Sequence, residues 1–183
     1  MKPMKRLLAL MAFGLAAGVA MGQTNNQISL GVSAGLYFPT GSEIRDAFGD
    51  SIFTIGLTPV ASSRPTAGQL TPSVSIIGAD KDGSNFLLVP ITLGYEMHFG
   101  NPYKDQVLPF ARIEGGLAYY NYAVNVPGGR SSGSEVGLVG DAELGLQISK
   151  SITISAKYYL FQEEGGLNFN GLELGLTFAL FPL

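Results

Sequence analysis

The side chains best suited to chemistry in this 183-residue chain are a few ionisable groups set among small and apolar neighbours. Arg112 and Glu114 stand two residues apart, as do Asp141 and Glu143, while Glu96, Lys157 and Glu173 each sit in otherwise uncharged stretches. Carboxylates in such numbers can move protons, hold a cation or form ion pairs with Arg and Lys. A spacing of two places both members of a pair on the same face of an extended strand. With two cations against five carboxylates, an enclosed cluster also needs protons, water or cations to balance it. Arg112 and Lys157 are therefore expected to bridge carboxylates of neighbouring strands, because a buried charge needs a partner. Arg112, Glu114, Asp141, Glu143 and Lys157 are expected at similar depth, with Glu173 and Glu96 towards opposite ends. The expected role is structural, filling an interior and fixing strand register, in preference to conduction.

Other motifs have simpler explanations. His98 is the single histidine and a formal candidate for a general base, but no serine adjoins it on its segment, so an ordinary interfacial histidine is expected. Asp80-Lys81-Asp82-Gly83-Ser84 resembles the start of a calcium loop, yet Ile91 occupies the twelfth position, where a bidentate Glu is required. A hairpin turn on Asp82-Gly83 is expected instead. The glycine-rich run from Gly128 to Gly133 lacks the Lys and the following helix of a phosphate loop, and is expected to be a flexible surface loop. Glu163 and Glu164 are expected to form a solvated acidic tip. No catalytic residue, cofactor or metal site is assigned.

Composition narrows the class further. Charged residues make up 14% of the chain, against about 25% in an average globular protein, and mean hydropathy is positive at +0.25. A net charge of −3 argues against a nucleic-acid partner, which needs clustered Lys and Arg. With no cysteine, disulfides and thiolate metal sites are excluded. Lys2, Lys5 and Arg6 precede an apolar run over residues 7–19 and then Ala20-Met21-Gly22. This is the pattern of a cleaved secretory leader, so residues 1–22 are expected to be a signal peptide and residues 23–183 the mature domain.

The remainder of the chain alternates with a period of two, which places different environments on the two faces of each strand. From residue 28 to 38, Ile28, Leu30, Val32, Ala34, Leu36 and Phe38 alternate with Ser, Gly and Tyr. Similar segments are expected at 51–59, 71–79, 87–99, 107–122, 136–148, 152–160 and 172–180, giving eight strands. Long connections are expected at 39–50, 123–134 and 162–168, with one helical turn over Ser42–Phe48 capped by Ser42. A tight turn is expected at Lys150-Ser151. The stretch 61–70 is longer than this alternation of long and short connections allows.

Alternation alone does not say which face is enclosed. A soluble cup hides its apolar face, whereas a membrane barrel shows it to lipid. The apolar face persists for about ten residues per strand, the length of a tilted membrane-crossing strand. The opposite face is rich in Gly, Ser and Thr and carries every strand charge named above. A Lys or Arg facing the bilayer centre would cost about 2–4 kcal/mol, and no strand demands one. Phe38, Phe53, Phe86, Phe99, Tyr119, Tyr120, Tyr122, Phe161 and Phe169 cluster at strand ends, as expected of interfacial aromatic girdles. The expected fold is an all-β, eight-stranded, antiparallel, up-and-down transmembrane β-barrel.

In these eight segments, and in stretches such as Val89-Pro90-Ile91-Thr92-Leu93-Gly94-Tyr95 and Gly171-Leu172-Glu173-Leu174-Gly175-Leu176-Thr177-Phe178, the chain resembles the small outer-membrane β-barrel superfamily. That superfamily includes the OmpA membrane domain and the OmpX and OmpW types. The resemblance implies residence in a bacterial outer membrane, contact with its lipids, and dependence on the barrel-insertion machinery. It implies a non-enzymatic role in envelope structure or surface interaction, with an extracellular ligand reached through the long loops. A narrow porin-like channel is the alternative implied by the OmpW type. A lipid-modifying barrel enzyme and a soluble periplasmic lipocalin-like carrier are the remaining alternatives.

Overall fold

The computed structural model describes residues 28–61, 68–101, 105–149 and 151–182. The leader expected over residues 1–22, most of the long 61–70 connection and Lys150 of the expected tight turn lie outside the described residues. Among the described residues the chain forms β1 (Ile28–Pro39), α1 (Ser42–Phe48), β2 (Ile52–Ala61), β3 (Gln69–Lys81), β4 (Ser84–His98), β5 (Leu108–Val126), β6 (Gly129–Gln147), β7 (Ile152–Phe161) and β8 (Gly171–Pro182). Each strand pairs antiparallel with its neighbours in sequence, and β8 returns to β1 through a register running from Ser29↔Pro182 to Pro39↔Gly171, closing the barrel. Closure matters because an open sheet edge leaves backbone N–H and C=O groups that a bilayer cannot satisfy.

The period-two pattern sets the faces as the sequence predicts. Ile113, Leu138 and Leu144 are 71%, 65% and 67% exposed on the outside, while Glu96, Arg112, Glu114, Asp141, Glu143, Lys157 and Glu173 are all buried within. The soluble-cup arrangement, with its apolar face enclosed, is thereby excluded. An outward apolar surface of this extent is stable only against acyl chains. The two ends of the barrel differ. One carries the start of β1, the end of β8 and the short β6–β7 connection, where Ile148 N–H and Ser149 N–H donate to Ile152 O at 2.9 and 3.3 Å. The other, the loop end, carries the β1–β2, β3–β4, β5–β6 and β7–β8 connections.

Three loop-end features depart from expectation. α1 forms over the expected residues, but its N-cap is Gly41, with no side-chain cap bond; Ser42 is the first helical residue instead. The stretch 123–134 is strand on both sides of a two-residue turn at Pro127-Gly128 rather than a long loop. β5 and β6 are 19 residues each, against 10 for β2 and β7, and they pair without interruption from Leu108↔Gln147 to Val126↔Gly129. The β6 tip has no apolar face to bury, so the alternation that marks a strand is missing there although the backbone ladder with β5 continues, whereas β5 carries its inward Tyr122 and Val124 to the tip. In the run from Gly128 to Gly133, Gly128 closes the turn and the rest begins β6, so the run is not a flexible loop. Gly128 at φ 100° and Gly129 at φ 153° provide the turn, which residues with a Cβ rarely adopt. The β3–β4 hairpin turns on Asp82 (φ 50°) and Gly83 (φ 76°), the expected tight Asp-Gly turn with both central residues left-handed.

The third departure concerns the aromatic residues. Phe53 and Phe99 face outward, but Phe86, Tyr120, Tyr122, Phe161 and Phe169 are buried inside the barrel. They form, with Tyr37, Ile44, Phe48, Leu88, Val124, Tyr159 and Leu167, the apolar core of the loop end. Parity accounts for it: Tyr120 and Tyr122 share the inward register of Arg112 and Glu114, and Phe161 that of Lys157.

Candidate functional site: the closed lumen

Two layers fill the lumen. Nearer the terminal end lies the charge cluster, positioned by strand register. Glu96 pairs across the sheet with Arg112, Arg112 with Glu143, Glu143 with Lys157, and Lys157 with Glu173. Five consecutive strands thus carry a row of alternating sign, which is the arrangement that stabilises cross-strand neighbours. Glu96 stands two residues from the terminal-end limit of β4, and Glu173 two residues from the loop-end limit of β8. The row therefore climbs the barrel wall as the strands tilt.

Side-chain contacts follow this register. Arg112 donates from Nη1 to Glu143 at 3.0 Å and from Nε to Glu96 at 2.8 Å, with a further bond from Nη2 to Glu96. In the next row Glu114 and Asp141 oppose each other directly, an unfavourable juxtaposition of like charges. Lys157 relieves it, with Nζ 2.8 Å from Glu114, 3.8 Å from Asp141 and 3.4 Å from Glu143. Neutral donors complete the set: Ser73 Oγ donates to Glu114, Thr54 Oγ1 to Glu173 at 3.0 Å, and Gln69 Nε2 to Glu96 at 3.0 Å. The sequence identified every charged member of this cluster but not Ser73, Thr54 and Gln69. Their inward parity was the available signal. His98 turns into the lumen, 3.5 Å from Glu96 and against the Phe110 ring, so it is not at the lipid interface. The cluster borders a polar cavity of about 40 Å3 lined by Ser33, Ser155 and Thr177 among others, room for a few water molecules.

Above the charges lies the aromatic layer. Phe169, from the β7–β8 loop, sits at its centre, with ring centroids 5.8 Å from Phe86, 5.8 Å from Tyr120 and 5.7 Å from Tyr122. α1 dips Ile44 and Phe48 into the same layer, and Phe48 meets Phe86 edge-on at 4.9 Å. Tyr37 donates its hydroxyl proton to the Phe169 carbonyl, fixing the loop to β1. Water entering from the loop end would have to part packed rings whose interior offers it few hydrogen-bond partners.

The β7–β8 loop is also held by a carboxylate pair on the inner face of the β5–β6 ribbon. Glu164 bonds with Glu135 of β6, which requires a proton between them, and Ser131 Oγ donates to Gly165 O at 2.9 Å. Glu164 is thus part of a loop anchor rather than a free acidic tip. The hydrogen bond and the neighbouring negative charge hold its carboxyl above the ordinary value of 4.5. An acid whose folded-state value is raised adds stability that is complete below the unfolded value and disappears as pH rises through the folded one. The loop should accordingly be tighter at pH 4 than at pH 7. Leu167 N–H, which donates to Glu164 O at 2.9 Å, reports this by hydrogen exchange corrected for its intrinsic rate. Glu164→Gln should erase the difference; a difference that persists unchanged would rule the carboxylate pair out as its source.

No family model and no curated protein matches the chain. Solved structures do. The chain superposes on Neisserial surface protein A with a TM-score of 0.54 at 13% identity, covering 84% of this chain and 97% of that one. It also matches the N-terminal β-barrel domain of Pseudomonas aeruginosa OprF (TM-score 0.49, 15% identity, 84% and 96% covered). A further match is Ail, the attachment invasion locus protein of Yersinia pestis, solved with the heparin analogue sucrose octasulfate (TM-score 0.48, 14% identity, 85% and 97% covered). Identities this low speak to architecture alone. With its outward apolar wall, enclosed charges and closed antiparallel order, the chain has the fold of the small eight-stranded outer-membrane barrels.

Proposed function

We propose that the mature chain, residues 23–183 after removal of a leader over residues 1–22, is a non-enzymatic barrel of a bacterial outer membrane. Its role is structural or surface-interacting, with the loop end presented outside the cell. The observation that carries this reading is the doubly sealed lumen: an ion-paired polar layer beneath a packed aromatic one, with the β7–β8 loop and α1 folded inward. Such an interior, packed among the described residues, supports the wall and favours this reading over the porin-like one. Arg112, Glu114, Asp141, Glu143, Lys157, Glu173 and Glu96 act in this reading as the barrel's internal brace. Surface contacts fall to the β5–β6 ribbon, whose exposed Arg130, Ser132 and Ser134 stand beyond the β6–β7 ladder.

The test joins location with permeability. The protein should fractionate with outer membranes, and unheated samples should migrate differently from boiled ones on a gel, as a closed barrel does. Liposomes containing it should not swell in small sugars. Swelling at a rate above that of empty liposomes would overturn the sealed-lumen reading in favour of a channel.

A further inference from the structure

One carboxylate of the lumen has no cation of its own. Glu96 and Glu143 pair with Arg112, and Glu114, Asp141 and Glu143 lie 2.8–3.8 Å from Lys157 Nζ. Glu173 has no such contact among the described residues, although the β7–β8 register sets it directly beside Lys157. The lysine reaches across to Glu114 at 2.8 Å instead. Glu173 is nevertheless only 7% exposed. Its Oε1 accepts from Thr54, and the Tyr159 hydroxyl stands beside the same carboxylate. Oε2 is enclosed and makes no hydrogen bond among the described residues. A buried carboxylate in this condition calls for a counter-charge.

Glu173 lines the polar lumen cavity of about 40 Å3, and glycine makes the room there. Gly35 and Gly175 oppose each other across the β1–β8 seam, and a Cβ on them would stand 3.0 and 3.5 Å from Glu173 Oε1. Hydroxyls of Ser33, Ser75, Ser155 and Thr177 supply further oxygen atoms to the lining, with Ser33 directly opposite Thr177. A second enclosed oxygen without a hydrogen bond among the described residues, Gln147 Oε1, lines the same cavity. Gln147 ends β6, so the cavity runs from Glu173 towards the terminal end, away from the aromatic layer.

Charge and donor type select the ligand. The lining sets Glu96, Glu143 and Glu173 against Arg112 and Lys157, an excess of one negative charge. Glu114 and Asp141, in the next row, strengthen the same field. All the free donors are hard oxygens, which suit alkali and alkaline-earth cations. Among the described residues no three acidic, histidine or cysteine side chains converge as a divalent-metal site would need. A single charge in a space of a few water volumes fits a monovalent ion with little of its hydration shell.

We propose that the lumen cavity binds one alkali cation, sodium or potassium, held by Glu173 Oε2 and the surrounding hydroxyls. The ion enters from the terminal end and completes the internal brace. This goes beyond the role proposed above, since it needs the closed lumen but no surface partner.

The test unfolds the full-length mature protein with urea in phosphatidylcholine vesicles, at constant chloride, in sodium, potassium or tetramethylammonium salt. Tetramethylammonium matches the ionic strength but is too large for the cavity. For a dissociation constant of about 10 mM, about 100 mM sodium or potassium raises the folding constant about tenfold. Glu173→Gln, which keeps the shape of the side chain, should unfold at one midpoint in all three salts. Gly175→Val, which fills the cavity and leaves the carboxylate, should behave likewise. Equal wild-type midpoints in the three salts, as a protonated Glu173 or a cavity holding water alone would give, overturn the site. So does a sodium or potassium effect that persists in either folded variant. Should neither variant fold, sodium-23 line broadening by wild type decides: broadening reversed by excess potassium supports the site, and its absence overturns it.

Discussion

Arg112→Ala will cost the barrel about 3–5 kcal/mol, the usual penalty for removing one partner of a buried ion pair. Glu96 and Glu143 are the groups left behind. Both accept bonds from the guanidinium at or near 3 Å, and both are buried, so water cannot readily replace what is lost. Lys157 lies 3.4 Å from Glu143 but is already engaged with Glu114 and Asp141, leaving Glu96 the more exposed to the penalty. Removing the orphaned charge along with its partner should therefore recover most of the loss, and Arg112→Met with Glu96→Gln is the pair to compare. Urea unfolding in lipid vesicles gives the measurement. A midpoint unmoved by Arg112→Ala would mean that the charge row does not brace the wall. Ion conductance should stay unchanged, because the aromatic layer remains in place; a rise would favour a channel gated by this arginine.

Phe169→Ala carries a comparable expected loss, about 3–5 kcal/mol for truncating a fully enclosed phenylalanine. Phe169 is 1% exposed and touches three rings from two strands. The cavity left behind cannot collapse easily, since Phe86, Tyr120 and Tyr122 are held by the barrel wall. The bond from Tyr37 goes to the backbone carbonyl of Phe169 and survives the substitution, so the effect isolates the ring. Phe99→Ala, which removes an outward ring, should cost much less. Equal losses from the two variants, read by the same unfolding assay, would show that the loop-end core contributes nothing beyond ordinary apolar surface.

The architecture and the charge cluster were legible in the sequence for one reason: strand parity is a strict rule. Arg112, Glu114, Asp141 and Glu143 each fall opposite an outward Leu, Ile or Ala neighbour, so a single inward assignment fixes the rest. Register was less accessible, because it depends on turn lengths, and the alternating row from Glu96 to Glu173 emerges only when five strands are aligned. The aromatic layer was misread because position near a strand end was given more weight than parity at Tyr120, Tyr122 and Phe161. Phe169 lies outside any strand, and nothing local indicates that its loop folds inward. The β5–β6 ribbon was missed for a complementary reason. Residues 129–135 have no buried face, so their extended conformation is imposed by the facing strand and not by hydrophobic pattern.

The β1–β8 seam has a consequence for how the molecule comes into being. Pro39 and Gly171, neighbours across that seam, are supplied by opposite ends of the polypeptide, so the ring stays open until the last strand has been made and delivered. Contacts of such long sequence separation form slowly, and until they do, two unsatisfied edges invite pairing with other chains. Two cross-links come into force only at that moment: the Tyr37 hydroxyl on Phe169 and Thr54 on Glu173. Assembly thus ends in a single latching event, and an unlatched chain must be chaperoned until it occurs.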